Sequence, residues 1–258
     1  MFEGMAKPLS QQGIDAAVNQ LGVAASALWA VLTVETSGCG FLPDRRPKIL
    51  FERHWFSRLT HQQFDVQAPD VSNPKAGGYG KAGAFQYERL AKAIALDRTA
   101  ALKSTSWGLG QVMGFNATKV GYGNVNELVA AAQESEDAQL LAMVNFIDQA
   151  SISTHLQQGD WAAFAFRYNG SDFQKNNYDQ KLDLHHKRYI QGPLPDLTVR
   201  RVQIGLMLLQ YAGQNSVDGW YGPNTQKALM RFQSDQALAV TGVADTATLN
   251  SLNSVLNW

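Results

Sequence analysis

The run AASALWAVLTV (Ala24 to Val34) constrains this chain more than any other feature. Its eleven residues are apolar or small on every side, so no face of a helix built from them can be left to water. Eleven residues fall well short of the roughly 20 that cross a bilayer. The segment predicts a helix buried on all sides, and therefore an α-rich core large enough to surround it. It stops at Glu35-Thr36-Ser37-Gly38. A carboxyl thus sits at the C-terminal end of the most buried helix, beside a glycine-bearing loop.

The flanking sequence supplies the surrounding helices. Ser10 reads as an N-cap, with Ile14, Ala17, Val18 and Leu21 at helical spacing and Gly22 at the end. Lys48 to Phe51 predicts a short strand, and residues 65–84, with four glycines and two prolines, a surface loop. Helices are expected near 86–97, 127–133 and 136–150. Asp160 caps another, carrying Trp161, Phe164, Ala165 and Tyr168 as one stripe until Asn169-Gly170 stops it. A further helix runs from Tyr178 to Tyr189.

Composition shifts at Gly192-Pro193-Leu194-Pro195-Asp196, a linker pattern. Beyond it Thr198 is placed to cap a helix with Val199, Val202, Leu206 and Leu209 on one face. Pro223 suits the first position of a second helix, and Asp245 or Thr246 opens a third. GWYGPNTQKAL (Gly219 to Leu229) and GVADTATLNSL (Gly242 to Leu252) repeat Gly, Thr and Leu at an offset of 23 residues. The expected organisation is mainly α, with a larger domain over 1–191, a linker at 192–197 and a small three-helix domain over 198–258.

Charge narrows the partners. The 22 Lys and Arg balance the 22 Asp and Glu, giving no electrostatic reason to bind nucleic acid or an anionic membrane. The lone Cys39 cannot form an internal disulfide. MFEGMAKPLSQQG has no long apolar h-region, so the expectation is synthesis in the cytoplasm without a signal peptide and no stable membrane insertion. A target outside the membrane then requires some other route through it. No heptads appear, and a monomer is expected. Five histidines include no HExxH, and the adjacent pair His185-His186 would point about 100° apart on a helix, so neither a metal nor a cofactor is expected. Cys39 beside the Glu35 loop reads as a packed residue rather than a nucleophile, and no G-x-S-x-G supports serine catalysis.

Glu35 is the residue with chemistry to offer. Breaking a glycosidic bond needs a proton delivered to the leaving oxygen, and a buried carboxyl near the negative end of a helix dipole stays protonated to higher pH. The lysozyme general acid is the standard example of such tuning. A solvated glutamate at a helix end is the alternative reading.

Three segments then carry a resemblance to the lysozyme and lytic-transglycosylase superfamily, in its order: VETSG (Val34 to Gly38), SWGLGQVMGFNA (Ser106 to Ala117) and FAFRYNGSDF (Phe164 to Phe173). VETSGCGFLPDRRPKILFERHWF (Val34 to Phe56) resembles, more closely, the phage and bacterial N-acetylmuramidase family known from Gram-negative endolysins, over most of residues 10–190. Val199 to Leu252, with Gln203, VDGWYGPNTQKALMRFQ and TGVADTATLNSL, resembles the peptidoglycan-binding domains attached to cell-wall hydrolases. The resemblance implies a lysozyme-like fold, peptidoglycan as partner, action on the wall in the periplasm, and cleavage between N-acetylmuramic acid and N-acetylglucosamine. It implies Glu35 as general acid and Asp44, nine residues on, as second carboxylate. The threonine that many phage lysozymes carry six residues after that aspartate is Leu50 here. Gln111 would hold sugar groups, while Tyr168 and Asn169 orient Glu35 or the substrate. Glu52 is a supporting candidate at the cleft or a structural partner of Arg45 or Arg46. Trp220 and Tyr221 are candidates to grip the wall, with Trp220 alternatively packing the small core. A lytic transglycosylase giving 1,6-anhydro products, and a non-catalytic phage wall-binding protein, are the competing functions.

Overall fold

The computed structural model describes residues 1–36 and 38–258, and all their side chains except those of Asp172, Phe173, Lys175 and Gln214. Ser37 of the VETSG segment lies outside the described residues. The chain forms thirteen α-helices and three short strands among the described residues.

Ser10 Oγ accepts from Gly13 N and opens α1 (Gln11–Leu21), which Gly22 closes in the left-handed conformation. α2 (Ala25–Thr36) follows, with every residue from Ser26 to Leu32 buried. This is the all-round apolar run, and helices pack on it as the pattern demands. α10 (Tyr178–Gln191) lies along it, and α1 crosses it. A three-stranded antiparallel sheet stands beside its end: β1 (Ile49–Phe51), β2 (Thr105–Trp107) and β3 (Val112–Met113). The register pairs Leu50 with Ser106 and Ser106 with Met113. Helices α3 (Arg53–Leu59), α4 (Phe85–Leu96), α5 (Arg98–Lys103), α6 (Val125–Glu134), α7 (Glu136–Gln149), α8 (Ser153–Gln158) and α9 (Trp161–Asn169) complete this part. The residue 65–84 segment is loop and turn.

The C-terminal part is α11 (Leu197–Leu208), α12 (Pro223–Asp235) and α13 (Thr246–Leu256). Asp196, not Thr198, caps α11, because its carboxylate accepts from Val199 N at 2.9 Å. The sequence repeat has a physical meaning here. The buried Gln203 carboxamide accepts from Asp218 N and Gly219 N and donates to the Trp220 carbonyl and Thr225 Oγ1. Gln233 treats the second copy alike, accepting from Thr241 N and Gly242 N and donating to the Val243 carbonyl and Thr248 Oγ1. Each copy is thus a turn clamped by one buried glutamine, followed by a helix. Gly219 and Gly242 hold φ of 78° and 68°, where any side chain would be strained.

The 192–197 segment does not hold the two parts at a distance. Glu136, 0% exposed, pairs with Arg200 at 3.2 Å. The same carboxylate accepts from Leu9 N and Gly40 N, and Arg200 also donates to the Gly38 carbonyl at 2.9 Å. Ala6, Cys39 and Phe41 are buried in the core of the C-terminal part. Cys39 sits near Met207 Sδ, and burial pushes its thiol up to about 11, so it is protonated and inert at neutral pH.

Candidate active site

Glu35 occupies the last turn of α2, as its sequence position requires. Its carboxyl faces a cleft of about 320 Å³ whose walls include Lys48, Ile49 and Leu50 from the β1 approach and Gly108, Leu109 and Gln111 from the β2–β3 turn. Burial pushes the Glu35 pKa up. Two donors act against it: the Tyr178 hydroxyl hydrogen-bonds to Oε1, and Asn169 Nδ2 donates to the same oxygen at 3.3 Å. The net shift is upward, so desolvation outweighs both hydrogen bonds. Both donors fall on Oε1, so a proton carried on Oε2 would keep both of these hydrogen bonds.

The structure brings four of the expected residues together, Glu35, Gln111, Tyr168 and Asn169. Asn169 reaches Glu35 directly from the end of α9. The Tyr168 hydroxyl donates to the Gly110 carbonyl at 2.9 Å while its ring stacks on Phe164. It braces the β2–β3 turn, and its own pKa is raised by burial and by the Glu35 charge. Gln111 lines the cleft at φ 48°. Its amide protons go to the Gly108 and Lys48 carbonyls and its oxygen accepts from Ser106 Oγ. Only a remaining lone pair on Oε1 is left for a sugar, so Gln111 chiefly holds the cleft wall in shape.

Asp44 stands elsewhere. It is exposed, pairs with Arg46 at 2.5 Å and accepts from Arg46 N at 3.2 Å. It is not among the residues lining the cleft; the local turn Pro43-Asp44-Arg45-Arg46 takes up its carboxylate. Glu52 does not pair with Arg45 or Arg46. Arg46 is held by Asp44, and Arg45 donates to the Leu256 carbonyl. Glu52 precedes α3, beside His54 and hydrogen-bonded to the Tyr79 hydroxyl. Trp220 does not pack the small C-terminal core. It packs against the core of the larger part, under the Arg188 guanidinium at 4.9 Å. Tyr221 stays 45% exposed, its hydroxyl hydrogen-bonded to the Gly242 carbonyl.

Two site residues escaped the sequence reading. Tyr178 lies 143 residues from Glu35, and a tyrosine opening a helix carries no local sign of such a partner. Lys48 reaches the Thr36 carbonyl at 3.1 Å, and burial lowers its pKa. No group of three or more His, Cys, Asp or Glu able to hold a metal occurs among the described residues. No helix among them is long and apolar enough to cross a membrane, although α1 and α2 together reach the length across a 109° bend.

Comparison with known proteins agrees with this geometry. The N-acetylmuramidase family matches residues 24–190, and the family described as putative peptidoglycan binding domain matches 196–252. A crystal structure of the Burkholderia AP3 phage endolysin is 39% identical, covers 72% of this chain and 72% of its own, and superposes with a TM-score of 0.68. No curated protein matches the chain. A half-buried glutamate at the end of a buried helix, a cleft bounded by a small sheet, and these matches lead to one assignment: the chain belongs to the N-acetylmuramidase family of peptidoglycan hydrolases and carries a peptidoglycan-binding domain at its C-terminal end.

Proposed function

We propose that the protein is an endolysin-type muramidase that cuts the β-1,4 bond between N-acetylmuramic acid and N-acetylglucosamine, with Glu35 as general acid. The observation that carries this reading is the burial of Glu35 at the cleft, which raises its pKa and keeps a proton for the glycosidic oxygen. Tyr178 and Asn169 fix Oε1, so the protonated Oε2 is presented in one orientation. The C-terminal domain, with Tyr221 exposed, anchors the enzyme on the wall. Action in the periplasm after release through a holin, as a monomer, belongs to the same reading.

One observation favours a second reading, a lytic transglycosylase. Glu35 is the sole carboxylate lining the cleft among the described residues, and Asp44 is committed to Arg46. A transglycosylase uses one acid and the sugar's own hydroxyl as nucleophile. Mass spectrometry of fragments from purified Gram-negative sacculi separates the two. Reducing N-acetylmuramic acid ends that disappear in Glu35→Gln support the muramidase, whereas 1,6-anhydro ends replace it with the transglycosylase. Intact glycan from the wild-type chain sinks both.

A further inference from the structure

One residue lining the Glu35 cleft does not come from the muramidase part at all. Asn215, on the 3₁₀ turn Gln214–Ser216 between α11 and α12, lines the cleft together with Glu35, Gly108 and Gln111. The turn is held locally: Ser216 Oγ donates to the Gly213 carbonyl at 2.6 Å, and the next residue, Val217, is buried. The seam that delivers it is held as well. Arg200 joins Glu136 and the Gly38 carbonyl, three residues past Glu35, and Asp196 N donates to the Gly219 carbonyl. A second cavity of about 230 Å³ runs along this seam, and Thr36 and Leu109 line both it and the catalytic cleft. The active cleft and the domain junction therefore share a wall.

Asn215 is exposed, and its carboxamide offers two donors and an acceptor. That pattern is complementary to another amide. The glycan strand of the proposed substrate presents amides as N-acetyl groups and, on muramic acid, as stem peptide.

We propose that Asn215 is a substrate-contacting residue: the C-terminal domain completes the catalytic cleft and hydrogen-bonds an amide of the strand while Glu35 protonates the scissile bond. This rests on the glycan-cleaving reading above. The two domains then grip one strand as a unit, rather than as an enzyme on a loose tether.

The test uses the full chain, Asn215→Ala and Asn215→Asp, on purified sacculi and on peptide-free N-acetylated glycan strands. Because Asn215 is exposed, both variants are expected to keep Tm within about 1 °C and to sediment with sacculi as the wild type does. Losing one hydrogen bond made equally in ground and transition states raises KM roughly three- to tenfold with kcat within about twofold. A KM rise on both substrates supports contact with an N-acetyl amide; a rise confined to sacculi supports contact with stem peptide. Unchanged KM in both variants, with the wild type active, overturns the proposal and leaves the glycan-cleaving reading intact. No cleavage of either substrate by the wild type overturns that reading, and the proposal with it.

Discussion

Replacing Arg200 with Met keeps much of the side chain's apolar stem but removes the guanidinium, and with it the counter-charge of Glu136. The pair is among the least accessible in the molecule, with side chains 6% and 0% exposed. Breaking such a pair by removing one partner costs about 3–5 kcal/mol. The lower end applies here, because the carboxylate keeps the Leu9 and Gly40 N–H groups at 3.0 and 2.8 Å. Loss of the donor to the Gly38 carbonyl adds about 1 kcal/mol. The sum is about 4 kcal/mol, which for a chain of this size lowers Tm by about 8–16 °C. The loss falls on the seam between the domains. Calorimetry is therefore expected to show one cooperative transition for the wild type and two for Arg200→Met. Neutralising the stranded carboxylate with Glu136→Gln in the Arg200→Met background is expected to restore part of the lost Tm. A fall of less than about 3 °C in Arg200→Met, with a single transition kept, would refute the claim that this pair locks the domains together.

Three further outcomes follow from the site and the small domain. Tyr178→Phe removes a donor that favours ionised Glu35, so the Glu35 pKa rises further; the protonated form is the acid, and the basic limb of the kcat/KM profile should move to higher pH. Asp44→Asn should leave kcat/KM within about threefold, whereas losing a reacting group costs at least about 10²-fold; assay on sacculi decides. Gln203→Ala and Gln233→Ala each strip the acceptor from two backbone N–H groups and should destabilise the C-terminal domain by about 2–4 kcal/mol, read by calorimetry and by loss of sedimentation with sacculi.

The sequence spoke clearly wherever one local pattern decided the outcome. The apolar run before Glu35 can only be a surrounded helix, and α2 is that helix. The caps Ser10, Asp160 and Asp245 act where they stand in the sequence. The 23-residue repeat showed two turn–helix units, though not that Gln203 and Gln233 clamp them. The spacing of Asp44 from Glu35 says nothing about which neighbour takes its charge, and Arg46, two residues on, takes it in the folded chain. The setting of Trp220 was hidden for a similar reason. Its surroundings come from Arg188 and a core built far away in sequence. The domain seam was invisible because it joins Glu136 to Arg200 across 64 residues, a distance at which no periodicity survives, while the prolines between them read as a spacer.

The proposed role of Glu35, supplying the proton that breaks the glycan strand, is tested most directly by removing that proton. Wild type and Glu35→Gln should be incubated with the same purified sacculi and the released fragments weighed by mass spectrometry, with circular dichroism and sedimentation confirming that the variant is folded and still binds. That role predicts fragments ending in reducing N-acetylmuramic acid from the wild type and none above background from Glu35→Gln. The same fragments released at the wild-type rate by Glu35→Gln would contradict it.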